Sequence, residues 1–163
     1  MIRPASESDA HGIAEVHVRS WQAAYAGTFS AEALGQLSVD ERISTWLDAI
    51  ASGEAVVVAD EDGAVVGFAA VRAATEDQTK GLGELGALYV EPSSWGRGVG
   101  RELLAAAEDA LREGGFSDAI LWVLDENRRA RDFYAASGWR EAAKRETQLL
   151  GTDVRLVSYR KAL

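Results

Sequence analysis

The residues most able to do chemistry lie in one run, Glu84-Leu-Gly-Ala-Leu-Tyr-Val-Glu-Pro-Ser-Ser-Trp-Gly-Arg-Gly-Val-Gly-Arg-Glu-Leu-Leu104. Leu85 to Val90 reads as a strand that stops at Pro92. A turn with Gly96, Gly98 and Gly100 follows, and then a helix with Val99, Leu103, Leu104, Ala107 and Leu111 on one face. Glycine lets a backbone turn sharply and approach a ligand. The free amides of a helix's first turn, aided by the helix dipole, point at an anion placed there. Strand, glycine turn and helix in this order therefore predict a grip on a phosphorylated cofactor. Gly-x-Gly is by itself a weak signal. No Gly-x-x-x-x-Gly-Lys-Ser/Thr is present, which argues against a P-loop. A dinucleotide fold usually carries its turn after the first strand, whereas this one lies mid-chain.

Other chemistries lack their residues. There is no cysteine, so no thiolate nucleophile, disulfide or Cys-type zinc site. His11 and His17 have no His-Glu-x-x-His company, and no metal is expected. No Gly-x-Ser-x-Gly elbow exists for a hydrolase. Lys and Arg number 17 against 26 Asp and Glu, a net charge of −9. Such a chain repels nucleic acid and would welcome a cationic acceptor, although solubility explains the charge as well. No apolar run approaches a membrane span and no signal region opens the chain, so neither a membrane nor export is expected. A cytoplasmic location is the expectation.

Two motifs carry a resemblance. Leu88-Tyr-Val-x-Pro followed by Trp95-Gly-Arg-Gly-Val-Gly100 resembles the acetyl-CoA-binding motif of the GNAT N-acetyltransferase superfamily, Gln/Arg-x-x-Gly-x-Gly/Ala. Asn127-x-x-Ala-x-x-Phe-Tyr-x-x-x-Gly-Trp139 resembles the family's Asn-x-x-Ala-x-x-Phe-Tyr-x-x-x-Gly-Phe. Trp95 stands where the family most often has Gln or Arg, and Arg97 keeps a positive charge nearby. Trp21-Gln-Ala-Ala-Tyr25-Ala-Gly27 is similar to a run seen in a bacterial subgroup of the family.

The resemblance implies acetyl-CoA as co-substrate and a primary amine as acceptor, attacked directly in a ternary complex. Its site residues follow by position. The backbone of Leu88, Tyr89 and Val90 pairs with the pantetheine arm. Gly96, Arg97, Gly98, Val99, Gly100 and Arg101 hold the pyrophosphate. Asn127 orients the cofactor, Arg131 lies on the same helix face, and Tyr134 protonates the departing thiolate. The residues alone allow a plainer reading, with Asn127 as a helix cap and Tyr134 as core. An alkyl ammonium has a pKa of about 10, so the acceptor needs a base. Glu84 is the candidate. Simple alternation puts it on one face with Gly86, Leu88 and Val90, while the resemblance implies that a strand bulge near here would break that alternation; burial could raise its pKa. A solvated strand-end charge is the equal alternative. Trp21, Tyr25 and His17 on the first helix are candidates for the acceptor wall, with His17 as a second base. Aromatics at helical spacing are more often core. The acceptor favoured slightly is a small cationic amine or polyamine; a peptide N-terminus, a lysine or an aminoglycoside fit almost as well. The family's habit implies a homodimer. A non-catalytic acyl-CoA-binding sensor of the same fold is the alternative function.

The elements that must position these residues follow from patterning. Ile2-Arg3-Pro4 is a short strand, and a helix runs from Ser6 to about Tyr25. Short helices follow Ser30 and Ser38, the latter through a Ser38-Val-Asp-Glu41 capping box. Ala55–Ala59 and Ala64–Val71 form a hairpin about Glu61-Asp-Gly63. Arg72 to Gly83 reads as a mobile loop. After the motif helix, Ala119–Leu124 is a strand, Asn127 to Ser137 a helix, and two last strands meet at Gly151. Mixed strands and helices predict one α/β (α+β) domain over residues 1–163, with a central, mixed, mostly antiparallel sheet of about seven strands flanked by helices.

Overall fold

Strands alternating apolar residues, joined by Gly-containing turns, pair into one seven-stranded sheet in the computed structural model, which describes residues 1–163. The strands are β1 (Ile2–Pro4), β2 (Ala55–Glu61), β3 (Ala64–Ala73), β4 (Gly83–Val90), β5 (Asp118–Leu124), β6 (Arg140–Leu149) and β7 (Thr152–Ala162). Their order across the sheet is β1-β2-β3-β4-β5-β7-β6. All neighbours are antiparallel except β4 and β5. The helices are α1 (Ala10–Ala24), α2 (Ala31–Gly35), α3 (Val39–Ala51), α4 (Val99–Glu113) and α5 (Arg128–Ala136).

Caps start the helices as the sequence predicts. Ser30, Ser38 and Asn127 each accept, through the side-chain oxygen, the amide three residues on. One such cap stabilises its helix by about 1 kcal/mol. The first helix differs in detail, because residues Glu7–Asp9 form a 3-10 turn before α1. Asp9 belongs to that difference. It is buried, accepts the Ser6 amide, and takes both terminal nitrogens of Arg3 at 2.8 Å. The segment after Arg72 also differs from expectation. Strand β3 runs on to Ala73, Ala74 N donates to Leu82 O, and a 3-10 turn at Asp77–Thr79 buries Thr79.

The sheet buries both faces. On the back, α4 sends Leu103, Ala107 and Leu111 into a cluster with Leu85, Leu121, Val157 and Trp139. Gly67 makes the close approach feasible, since a Cβ there would come within 2.9 Å of Leu103 Cδ1. On the front, Ile13, Ala14 and Val16 of α1 pack with Trp46, Val58, Phe68 and Ala87.

One irregularity decides what faces where. Ala70 pairs with Ala87 but Val71 pairs with Leu85, so Gly86 is an extra residue in β4. A bulge of this kind reverses the side-chain alternation beyond it. Leu85 accordingly joins the back cluster and Ala87 the front one. This corrects the simple alternation expected for Glu84: its face is that of Ala87 and Tyr89, not of Leu88 and Val90.

Candidate active site

Strands β4 and β5 pair only at Gly83↔Ala119 and Glu84↔Ile120. Beyond those positions β4 stays with β3 while β5 stays with β7 as far as Leu124. The two strands therefore part, and the gap opens toward Pro92 and the glycine turn. Glu91 N donates to Val66 O, so alternation along an antiparallel pair turns the amides and carbonyls of Leu88 and Val90 away from β3 and into the gap. Val90 O is taken there by Trp95 Nε1 at 2.8 Å and Ser20 Oγ at 3.1 Å.

A cleft of about 680 Å³ fills this gap, and 19 of its 28 lining residues are hydrophobic. At one end stand Gly96, Gly98, Gly100 and Arg101. Gly98 is the residue before α4 and has φ of 88°, a left-handed conformation in which a Cβ is strained. The amides of Val99 and Gly100 that open α4 have no acceptor within the helix, whereas Arg101 N and Glu102 N donate to Gly98 O. Arg129 of α5 also lines this end, its guanidinium 3.8 Å above the Trp95 ring.

Three tyrosines stand further in. Tyr134 is buried, and its hydroxyl makes no hydrogen bond within the protein; burial, with Tyr89 and then Tyr25 nearby, holds its pKa well above the usual phenol range. Tyr89 is likewise pushed far up by burial and by Tyr25, against a smaller opposing effect of Trp21. Tyr25 is raised by burial and partly offset by Asn127, whose Nδ2 donates to the Tyr25 hydroxyl at 3.3 Å. Asn127 is thus a helix cap that also orients Tyr25.

Of the residues singled out from sequence, the cleft brings together Leu88, Tyr89, Val90, Gly96, Gly98, Gly100, Arg101, Asn127, Tyr134, Trp21 and Tyr25. Five lie outside it. Val99 packs against the back cluster. Arg97 binds Glu61 at 3.1 Å and donates to Ser94 Oγ. Arg131 donates to Tyr159, Asp125 and Glu141, so its donors are engaged by protein. His17 accepts Trp46 Nε1 through Nδ1 at 3.2 Å and stacks on Tyr89; burial, and then the charge of Arg42, lower its pKa to about 4. A base whose Nδ1 is already hydrogen-bonded inside the fold is poorly placed to serve an amine. Glu84 accepts Arg72 Nε at 3.0 Å, beside the bulge at Gly86, which does line the cleft. Arg129, Ser20 and Trp122 are cleft residues that motif reading passes over. Only the indole of Trp95 had a signal, as the odd residue of its motif.

A parted strand pair ending in a glycine turn suits a long phosphorylated ligand: amides for its anionic end, free strand edges for its arm, a protonated phenol at its tip. The Acetyltransferase (GNAT) family matches residues 14–139. The chain belongs to the GNAT family of acetyltransferases. It is 31% identical over 156 residues to the uncharacterized N-acetyltransferase YuaI of Bacillus subtilis (strain 168), covering 96% of this chain and 89% of that one. A shorter likeness, 44% over 61 residues, links 37% of this chain to 20% of a mycothiol acetyltransferase of Beutenbergia cavernae. The fold is shared with a PaiA N-acetyltransferase of Thermoplasma acidophilum in complex with coenzyme A, at a TM-score of 0.80 and 24% identity over 100% of this chain and 98% of that one. YncA of Salmonella typhimurium, a putative acetyltransferase with acetyl-CoA, has a TM-score of 0.78 and 22% identity over 99% and 92% of the two chains. In this GNAT acetyltransferase no group of three or more His, Cys, Asp or Glu side chains is placed to hold a metal, and no helix is long and apolar enough to cross a membrane.

Proposed function

We propose that this enzyme moves an acetyl group from acetyl-CoA to a primary amine by direct attack in a ternary complex. The observation that carries the reading is the cleft itself, with free helix amides at one end and the unpartnered Tyr134 hydroxyl further in. Acetyl-CoA supplies the acetyl group as a thioester. The amides from Gly96 to Gly100 hold its pyrophosphate, with Arg101 beside them, and the unpaired groups of Leu88 and the Val90 amide line up its arm, the Val90 carbonyl being taken by Trp95 and Ser20. The amine nitrogen bonds to the carbonyl carbon as the carbon–sulfur bond breaks. Tyr134 gives its proton to the leaving sulfur. Glu84, through water at the Gly86 bulge, takes the proton that the amine must lose. Holding two reactants in line supplies much of the rate, commonly several kcal/mol.

The cleft wall carries no carboxylate, so the slight preference for a small cationic amine or polyamine rests on overall charge and on the aromatic Trp21 and Tyr25 of α1. The proposed setting is the cytoplasm, with which a cysteine-free chain is compatible. A homodimer could form through β6, an edge strand that pairs only with β7 and is largely exposed; sedimentation velocity would show it as a doubled mass. The activity is tested by thiol release from acetyl-CoA with polyamines, amino acids, aminoglycosides and short peptides. Release with one class supports the reading. Binding of acetyl-CoA without release in any mixture would make the chain a binding module instead.

A further inference from the structure

Two arginines outside the cleft lining, which the proposed reaction does not use, cover two of the residues that line it. Glu84 lies opposite Ile120, and two residues on along each strand, where the strands have parted, come Gly86 and Trp122. Both residues line the cleft. The guanidinium of Arg72 covers Gly86, its Cζ 3.5 Å from where a Cβ would sit. The guanidinium of Arg145 covers Trp122 at 4.1 Å from the ring centroid. Trp122 faces the front, because Leu121 and Val123 on either side of it belong to the back cluster. Arg72 faces the front by alternation with Phe68 and Ala70.

Each guanidinium has donors to spare. Arginine carries five N–H groups in a fixed fork suited to carboxylates. Arg72 gives only its Nε to Glu84, and Arg145 gives Nη1 to Glu76. Arg145 Nε is buried and has no partner at all. The side chains of Arg72 and Arg145 remain 45% and 40% exposed, so their outer nitrogens are open to solvent beside these two cleft residues. In a chain of net charge −9, two arginines over cleft residues concentrate positive charge at this front edge of the cleft. The carboxylates nearest them, Glu84 and Glu76, are already paired, and Trp122, the aromatic face that could have received a cation, is covered by one.

We propose that the acceptor is an amine that also carries a carboxylate, held by Arg72 and Arg145 at the front edge of the cleft while its amino group reaches the thioester. The inference rests on the proposed acetyl transfer and narrows its acceptor to amino-acid-like molecules. It excludes simple polyamines as preferred substrates.

The test compares matched acceptors, L-phenylalanine against phenethylamine and L-lysine against cadaverine, in the thiol-release assay. The carboxylated member of each pair is expected to have kcat/KM at least about tenfold higher, the scale on which a charge-assisted pair discriminates. Arg145→Gln is the cleaner variant, because Arg72 also touches Glu84. It is expected to raise acceptor KM about tenfold or more while acetyl-CoA KM moves less than about twofold, with Arg145→Lys in between. An unchanged circular-dichroism spectrum and melting temperature exclude misfolding as the cause. Equal or better use of the decarboxylated amines overturns the inference, as does an unchanged acceptor KM in Arg145→Gln or a failure of every carboxylated amine. Turnover of cadaverine and phenethylamine alone would sink only this inference. Absence of acetyl-CoA binding would sink the parent reading too.

Discussion

The Tyr134 hydroxyl keeps its proton because burial and two neighbouring phenols disfavour the phenolate. It can therefore donate to a leaving sulfur throughout the neutral range. Tyr134→Phe removes that proton but little of the cleft wall, so kcat is expected to fall about 100-fold while acetyl-CoA affinity changes less than about twofold, read by steady-state kinetics and calorimetry. Equal loss of both would remove Tyr134 as the acid. Asn127 and Tyr134 were singled out by the family motif rather than by residue type alone, which reads equally as cap and core, and both line the cleft. The engagement of Arg131 was not legible. Its partners Glu141 and Tyr159 come from β6 and β7, and no local pattern says that they will meet it.

At the scale of elements, boundaries were legible wherever a cap, a glycine or a proline marks them. The bulge at Gly86 left no periodic trace in the residues; only the family resemblance pointed to a bulge near here, and it moves Glu84 to the other face. The α1–α3 contact is where elements meet a titrating group. His17 sits between them with a folded pKa of about 4 against 6.5 unfolded, lowered first by burial and then by Arg42. The neutral ring is favoured in the fold, so its contribution is fully present above pH 6.5 and is lost as pH falls toward 4. That loss amounts to about 3 kcal/mol over the window. Urea unfolding of the wild type and of His17→Gln across this range should show the variant losing less. Parallel pH profiles for the two would contradict it.

At the scale of the molecule, the parted sheet poses a mechanical question, since β4 and β5 share only two paired positions. The two halves are held together from behind by α4. Its buried Glu108 accepts from Trp139 Nε1 at 3.0 Å and, through both carboxylate oxygens, from Lys161 Nζ at 2.8 and 2.9 Å. Lys161 also donates to Ser137 O at the end of α5. Glu108→Gln would leave that ammonium half-paired, and a loss of about 2–4 kcal/mol in chemical denaturation is expected. A change under about 0.5 kcal/mol, the size of an ordinary surface substitution, would mean that the clamp does not hold the halves. The gap so maintained is what the account asks acetyl-CoA to fill. The most direct measurement is therefore calorimetric titration of acetyl-CoA into the protein and into Gly98→Asp, which adds strain and negative charge at the turn. One molecule bound per chain, weakened about tenfold or more in the variant, is the expected result. No binding, or binding indifferent to Gly98→Asp, would contradict it.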